Sequence, residues 1–148
     1  MKKRSIITLT VGLLLLLSAV VGWFVTSRNA QRQWPSEQLQ NAITLSAALS
    51  TYQQNHGSFP ARLEDLVAGG TLGDEAFQRL QFRAGPRAQP EHWLYKTPEK
   101  ISDIAIVSPT AIVPWEGHSG YTVTARADGG GELISGTKHN RVPTWATK

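Results

Sequence analysis

Histidine is the residue of this chain best suited to bind a transition metal or to transfer a proton near neutral pH. The four histidines, His56, His92, His118 and His139, lie 36, 26 and 21 residues apart. A zinc site normally includes at least two ligands at short spacing, and no such pair occurs here. His56 precedes a glycine and fits the end of a helix, beside its last carbonyl groups. The sequence therefore predicts no metal site.

Other catalytic patterns are incomplete. Residues 117–120 (Gly-His-Ser-Gly) resemble the start of a nucleophile elbow, but that pattern requires Gly-x-Ser-x-Gly and position 121 is tyrosine, so a loop is the favoured interpretation. The three glycines at 129–131 are followed by neither a lysine nor a predicted helix, so they do not form a phosphate-binding loop. Glu64 and Asp65 are neighbours on a short predicted helix, where a solvated surface is the simplest interpretation. We therefore expect no enzyme, no catalytic residue, no bound cofactor and no small-molecule substrate.

The charge of the chain also argues against a nucleic-acid partner. The net charge is +4 and the isoelectric point is about 9.7. Three of the fifteen basic residues are Lys2, Lys3 and Arg4, which leaves twelve basic against eleven acidic residues, a charge of only +1. Those twelve are scattered rather than gathered into a basic stripe. There is no cysteine, which excludes a disulfide framework.

The N-terminus has the pattern of a membrane anchor. Residues 6–25 include no charged side chain, and these twenty residues would form a helix of roughly 30 Å, the thickness of the hydrocarbon core of a bilayer. The basic residues before them favour a cytoplasmic N-terminus. Trp23 falls near the far end, where an aromatic ring suits the headgroup layer. We therefore predict a cytoplasmic cap over 1–5, a transmembrane anchor over 6–25 and an extracytoplasmic domain after it.

A cleaved signal peptide is the alternative. The apolar core of such a peptide usually has about 7–15 residues and precedes a cleavage site of the Ala-x-Ala type. The run here is longer, and the two passable sites, 20–22 (Val-Val-Gly) and 25–27 (Val-Thr-Ser), are not of that type. The anchor is favoured and the alternative stays open.

The segment from Ser36 to Asn55 predicts an amphipathic helix, because its apolar residues recur at steps of three and four. Pro35 fits a first helical turn and Gly57 a helix end. Two arrangements are possible. One is a single helix from Ile6 to His56, kinked at Pro35 and roughly 75 Å long. The other is a short juxtamembrane linker followed by a separate helix.

The remainder predicts two short helices and then a sheet. The helices are expected over 61–68 and over 74–80, the second capped by Asp74, with a loop over 83–90. Strands are expected over 92–96, 103–107, 121–126 and 132–135. The residues at 128–131 (Asp-Gly-Gly-Gly) suit a tight hairpin turn. The fold class is therefore α+β, with the amphipathic helix packed on a small C-terminal antiparallel sheet. The tail, 136–148, is expected to be polar and loose, although Val142 and Trp145 could dock.

Four tryptophans, Trp34, Trp93, Trp115 and Trp145, lie outside the predicted span. Each offers a large apolar surface and one N–H group that needs an acceptor. We expect Trp93 to be a core residue of its strand. Trp115, between a proline and a glutamate, is either part of a contact surface or, the favoured interpretation, a loop anchor folded back on the sheet.

One ordered motif runs from the end of the amphipathic helix through the next short helix. It comprises Tyr52, Asn55, His56-Gly57-Ser58-Phe59-Pro60, Leu63, Leu66-Val67, Gly70 and Leu72. In this order the residues resemble the type IV pilin-like superfamily and are most similar to the major pseudopilins of type II secretion. The hairpin at Ala127-Asp128-Gly129 resembles the Ala-Asp-Gly hairpin of other pilin-like proteins. Together the resemblance covers about residues 36–135.

The chain departs from that family at its N-terminus. Prepilins have a short basic leader that ends in glycine, cleaved before an aromatic residue or methionine, and a glutamate at the fifth position of the mature helix. Here Gly12 is followed by Leu13, and 6–25 include no acidic residue. The chain therefore lacks the prepilin cleavage and methylation motif.

The resemblance implies a pilin-like ectodomain over 26–135 in a non-enzymatic, single-pass protein of the bacterial inner membrane, with a periplasmic C-terminal domain. Its expected partners are the lipid bilayer and other pilin-like or secretion-system subunits. The alternative is an anchored or exported periplasmic binding or accessory domain that does not polymerise. The family's calcium site would fall near Asp128 and Glu132, but a hairpin turn accounts fully for Asp128, and no metal is predicted.

Overall fold

The computed structural model describes residues 2–112, 120–135 and 142–147; within the first helix it leaves out the side chains of 2–16, 24, 25 and 27–32. That helix, α1, runs without interruption over Lys2–His56, 55 residues. The prediction of one continuous helix through Pro35 is therefore confirmed, and the linker alternative is wrong. Pro35 lies inside the helix rather than in a first turn. Because proline has no N–H, one backbone hydrogen bond of the helix is lost there without ending it.

The C-terminal half of α1 is held by burial. Ala42, Leu45 and Leu49 lie on one stripe of the helix and are at most 1% exposed. The helix ends at Gly57, whose φ of 77° lies in the left-handed region that glycine tolerates best, and its N–H donates to the carbonyl of Gln53 at 2.8 Å.

Two short helices follow, α2 over Asp65–Ala68 and α3 over Asp74–Arg79. The helix predicted over 61–68 is shorter than expected, because the carboxylate of Asp65 accepts the N–H of Arg62 at 2.9 Å and closes a turn ahead of the helix. The predicted cap at Asp74 is wrong. The N-cap is Gly73, with extended backbone, and Asp74 lies in the first turn, where its charge faces the positive end of the helix dipole.

In the described ranges, four strands form one antiparallel sheet in the order β1-β2-β3-β4. They are β1 over Leu94–Tyr95, β2 over Ile104–Val107, β3 over Tyr121–Arg126 and β4 over Gly131–Ser135. All four were predicted in place, with β1 shorter than expected. The α+β class and the packing of a small antiparallel sheet on a helix are confirmed.

On the face of the sheet that meets α1, the side chains become smaller from β1 to β4. One cross-strand row consists of Tyr95, Ile106, Ala125 and Gly131, in order of decreasing size. A Cβ atom at Gly131 would lie 2.8 Å from side-chain atoms of both Leu39 and Ile43, which is too close for a real contact. The glycine thus lets α1 cross the edge of the sheet at close range.

The core lies between α1, the sheet and the segments that join them. Fully or nearly fully buried members are Ala42, Leu45, Leu49, Leu66, Phe82, Ala105, Ile106, Val123, Ala125 and Ala127. Trp93 belongs to this core, as predicted, although it lies one residue before β1 rather than within the strand. It is 5% exposed and its indole N–H donates to the carbonyl of Leu80 at 2.7 Å. Its ring meets that of Phe82 edge to face at 5.1 Å.

The end of the chain returns to the other face of the sheet. Thr144–Ala146 form a short 3-10 turn. Val142, 8% exposed, and Trp145 pack against Val107 and Ile134. The predicted docking of Val142 and Trp145 is therefore confirmed, while 136–141 and Lys148, the rest of the predicted loose tail, lie outside the described residues.

Candidate functional site: the apolar helix arm and its mounting

The N-terminal part of α1 projects an apolar surface that the domain does not cover. Leu17, Val20, Val21 and Trp23 are 55%, 56%, 58% and 62% exposed. Position 22 is glycine with nothing within 4 Å of the place a Cβ would take. We call residues 17–23 the arm. Apolar groups of this size gain free energy when they leave water, so the arm is the part of the described chain best suited to contact lipid or another protein.

The arm joins the domain through two polar side chains of α1, Trp34 and Gln38, which we call the clamp. The indole N–H of Trp34 donates to the carbonyl of Arg83 at 2.8 Å, and the side-chain oxygen of Gln38 accepts the N–H of the same residue at 3.0 Å. Gln38 is 2% exposed. Both backbone groups of Arg83 are thus satisfied by α1, and the helix is fixed to the loop after α3 where it enters the core.

A second polar contact fixes α1 to the β3–β4 hairpin. The hydroxyl of Ser46 donates to the carbonyl of Arg126 and accepts the N–H of Gly129 at 3.2 Å. One turn later the hydroxyl of Ser50 donates to the carbonyl of Ala127 at 2.5 Å. Ser46 is fully buried. We call these two serines and the turn they hold the hairpin latch.

Residues of the Tyr52-to-Leu72 motif lie around the end of α1. A Cβ atom at Gly69 would lie 2.7 Å from the ring of Tyr52, so this ring covers the end of α2. His56 stacks on Tyr52 at 4.0 Å, and its Nδ1 lies 3.0 Å from the Tyr52 carbonyl. The interpretation of His56 as a helix-end residue is confirmed. Leu63 and Leu66 of the motif are buried in the core.

Pro60 of the motif connects to the sheet through Tyr95. The hydroxyl of Tyr95 donates to the Pro60 carbonyl at 2.7 Å, and Thr97 donates to the same oxygen at 3.3 Å. Burial raises the pKa of Tyr95 to about 12, the nearby charge of Asp65 acts in the same direction, and the hydroxyl of Thr97 opposes them.

This pKa gives stability a defined pH dependence. Folded Tyr95 keeps its proton up to about pH 12, whereas in the unfolded chain a tyrosine loses it near 10, so unfolding releases a proton between these values. The free energy of unfolding attributable to Tyr95 therefore falls as the pH rises above about 10. We expect Tyr95→Phe to reduce this fall, measured by urea midpoints at about pH 9 and pH 11. An equal difference between the two chains at both pH values would contradict the assignment.

In the ranges that the structure describes, the acidic residues do not form a metal site. The carboxylate of Asp128 accepts the N–H of Gly130 at 2.8 Å and that of Arg126 Nε at 3.2 Å. The Gly130 N–H is the main reason that the pKa of Asp128 lies below its ordinary value. Among the described residues no group of three or more histidine, aspartate or glutamate side chains could hold a metal ion. Asp128 acts here as a turn residue.

The remaining candidates from the sequence are either surface residues or undescribed. His92 lies 3.8 Å from Glu64, and both side chains are exposed, 83% and 58%. They border a shallow cleft of about 210 Å³ next to Trp93. Trp115, His118 and the whole 117–119 part of the incomplete nucleophile motif lie outside the described residues, as does His139.

Sequence reasoning missed the polar side chains that mount α1. Gln38 and Ser46 lie on the same helical stripe as Ala42 and Leu49. A signal was present, since a polar residue at the core position of an amphipathic helix usually has a specific buried partner. The partner itself lies 45 residues away for Gln38 and 80 for Ser46, a distance that no local pattern covers.

The predicted membrane span lies mostly outside the described side chains, which in 6–25 are those of 17–23 alone. Among the described residues, no helix has a stretch that is long and apolar enough to cross a bilayer. Comparison of the chain with protein-family models, with curated protein sequences and with solved structures finds no match.

Proposed function

We propose that this chain is a non-enzymatic, single-pass membrane protein of pilin-like architecture that acts through protein contacts in a type II secretion or type IV pilus-type assembly. The observation that carries the proposal is the division of α1. Its C-terminal half is buried under a four-stranded antiparallel sheet, and the arm, continuous with it, exposes apolar side chains. The order of the Tyr52-to-Leu72 motif and of the Ala-Asp-Gly hairpin supports the same family.

The mechanism follows from the arm. Inside a bilayer, helices associate through close van der Waals fit rather than through the hydrophobic effect, and small residues permit that fit. Ser18, Ala19 and Gly22 supply such residues beside Leu17 and Val21. The clamp and the hairpin latch hold α1 at a fixed angle to the sheet, so that association of arms also sets how the domains face each other.

The second candidate function is an anchored periplasmic accessory domain that does not assemble. One observation favours it: residues 6–25 include no acidic side chain. A charge in the membrane is retained only for a purpose, and in pilins the glutamate is the group thought to pair with a neighbouring subunit. The chain would then share the pilin-like architecture but lack the glutamate through which pilin subunits are thought to pair.

Cysteine crosslinking in membranes separates the two candidates. The chain has no cysteine, so every crosslink comes from the position introduced. We expect Val21→Cys, expressed as the full chain in bacterial inner membranes, to form a covalent dimer with a short bismaleimide reagent. The matched control is Glu75→Cys, an exposed position on α3 far along the chain from the arm, which should stay largely monomeric.

Two results would count against the proposal. A monomer at Val21→Cys with full reagent labelling would favour the accessory domain. Recovery of the chain in the soluble periplasmic fraction, with a mass that shows a cut near Gly22 or Ser27, would remove the anchor altogether. An intact N-terminus together with the dimer supports the proposed function.

A further inference from the structure

The segment 91–95, which includes β1, is only partly covered along the edge turned away from β2. Phe82 and Glu91 pair there, and the N–H of each donates to the carbonyl of the other at 3.1 and 2.8 Å. Leu80, which would pair next in an antiparallel ladder, belongs to the end of α3. Its N–H donates back to the carbonyl of Ala76, and its carbonyl accepts the indole N–H of Trp93. In the described ranges, no further strand pairs with β1 on this side.

The alternation of hydrogen bonds in an antiparallel pair shows which backbone groups face this edge. Across the β1–β2 pair the N–H of Lys96 donates to the carbonyl of Ala105 at 3.0 Å. Trp93 and Tyr95 have the opposite parity in the ladder, so their N–H and C=O groups turn away from β2. Among the described residues these four groups have no hydrogen-bond partner. We call them the open edge: two donors and two acceptors at the spacing of a β-strand.

The open edge lies at the shallow cleft of about 210 Å³. Trp93 and Tyr95 line this cleft, and its other walls include the turn at 61–64, Phe77 and Gln81. Pockets for whole small molecules usually have about 300–1,000 Å³. The cleft is therefore better suited to a short stretch of main chain, which belongs to a larger partner, than to a separate small molecule.

Gln81 adds a second set of unpaired polar groups. The residue is 7% exposed and lies between this cleft and the groove beside α1, and it lines both. In the part of the chain that the structure describes, its side-chain amide forms no hydrogen bond, whereas the equally buried amide of Gln38 is bonded to Arg83. Buried polar side chains in native proteins nearly always have a partner. The amide offers donors and an acceptor together, the same groups that a peptide bond requires.

The charges at the rim of the cleft do not select an ion. Arg62, Glu64 and His92 line it, and His92 lies 3.8 Å from the carboxylate of Glu64. Because both signs of charge are present, neither an anion nor a cation is favoured. The matching ligand is neutral and has equal numbers of donors and acceptors, as a polypeptide main chain has.

We propose that the open edge binds a short extended segment of a partner protein, which adds to the sheet as an outer strand beside β1. Two residues of the segment pair with Trp93 and Tyr95. The residue between them turns its N–H and C=O away from β1, and the amide of Gln81 matches these groups. This inference rests on the proposed function in one respect, that the chain acts through protein contacts. It places a contact on the domain itself, separate from the arm.

The test is an NMR titration of the isotopically labelled full chain in mild detergent. The probe is a blocked tetrapeptide of alternating valine and threonine, which favour the extended conformation. In the low millimolar range of peptide we expect the amide signals of Trp93 and Tyr95 to shift, and their hydrogen exchange to slow at least several-fold. The amide of Leu94, which faces β2, should change less. The same peptide with every amide nitrogen methylated has no N–H to donate, and should bind at least tenfold more weakly.

The substitution Gln81→Met separates binding from folding. Methionine has a similar shape and no amide, so the variant should bind the peptide several-fold more weakly. Its urea midpoint should not fall, because removal of a buried amide without a partner is neutral or stabilising. The matched control is Gln54→Met, an exposed glutamine of α1 that does not line the cleft, and it should bind as the unchanged chain does.

Three results would overturn the inference: no change at Trp93 and Tyr95 with the peptide, equal binding of the methylated peptide, or a Gln81→Met variant that loses stability and keeps its affinity. The Val21→Cys dimer in membranes is scored separately. If it forms while the peptide fails to bind, the open edge is not a binding site and the proposed function stands. If the peptide binds at the open edge while the dimer fails, the site stands and association through the arm is wrong.

Discussion

Replacement of Leu49 by alanine is expected to lower the free energy of unfolding by about 2–5 kcal/mol. Leu49 is fully buried in the core between α1 and the sheet, and removal of its side chain leaves a cavity that a helix fixed at two polar contacts cannot close by moving. The melting temperature should fall by roughly 10 °C or more. The measurement is thermal and urea unfolding of the full chain in mild detergent, followed by circular dichroism.

The matched control lies on the same helix. Leu17→Ala removes the same atoms from a side chain that is 55% exposed on the arm. We expect it to change the free energy of unfolding by less than about 0.5 kcal/mol. An equal loss at both positions would show that the arm packs against something in solution, and would contradict the division of α1 into a buried half and a projecting arm.

Most of the elements could be predicted from local patterns. Apolar residues at steps of three and four place the buried half of α1, and the alternation in 121–126 places β3 within one residue of its observed ends. Glycines with positive φ at Gly57, Gly70 and Gly129 end or reverse the elements where such residues are expected. The bounds of these elements depend mainly on residues that are close in sequence, so local patterns are enough to predict them.

The continuity of α1 through Pro35 could not be decided in the same way. A proline fits a first helical turn as well as it fits an interior position whose lost hydrogen bond is tolerated. Contacts made by its neighbours favour a continuous helix: Trp34 and Gln38, on either side of Pro35, both form hydrogen bonds with backbone groups of Arg83. A sequence pattern around Pro35 contains no information on the backbone of Arg83, which lies 45 residues after Gln38.

Local patterns also fail to predict the N-cap of α3 and the role of Gly131 in β4. Asp74 is a good capping residue by type, but the extended backbone of Gly73 places the cap one residue earlier. Gly131 looks like a turn residue in sequence, whereas its role in the fold is to let Leu39 and Ile43 of α1 approach β4. Such roles depend on which elements meet, and this is set by the whole core rather than by neighbours in sequence.

Replacement of Ser46 by alanine tests whether the hairpin latch holds α1 against the sheet. The hydroxyl of Ser46 serves both the carbonyl of Arg126 and the N–H of Gly129. Its removal takes this partner from both groups, while the Gly129 N–H still donates to the Arg126 carbonyl at 3.1 Å, so we expect a cost of about 0.5–1.5 kcal/mol. Alanine is the better helix former, so helix propensity opposes the loss and the measured value is a lower bound on the contribution of the hydroxyl.

The matched control is Ser36→Ala, an exposed serine of the same helix, for which we expect no loss or a slight gain in stability. Amide hydrogen exchange supplies the local readout. In Ser46→Ala the amide of Gly129 should exchange at least several-fold faster, while that of Ala105 in the sheet interior changes only as far as global stability requires. If both variants unfold alike and the Gly129 amide keeps its protection, the hairpin latch does not hold α1, and the angle between arm and sheet has another origin.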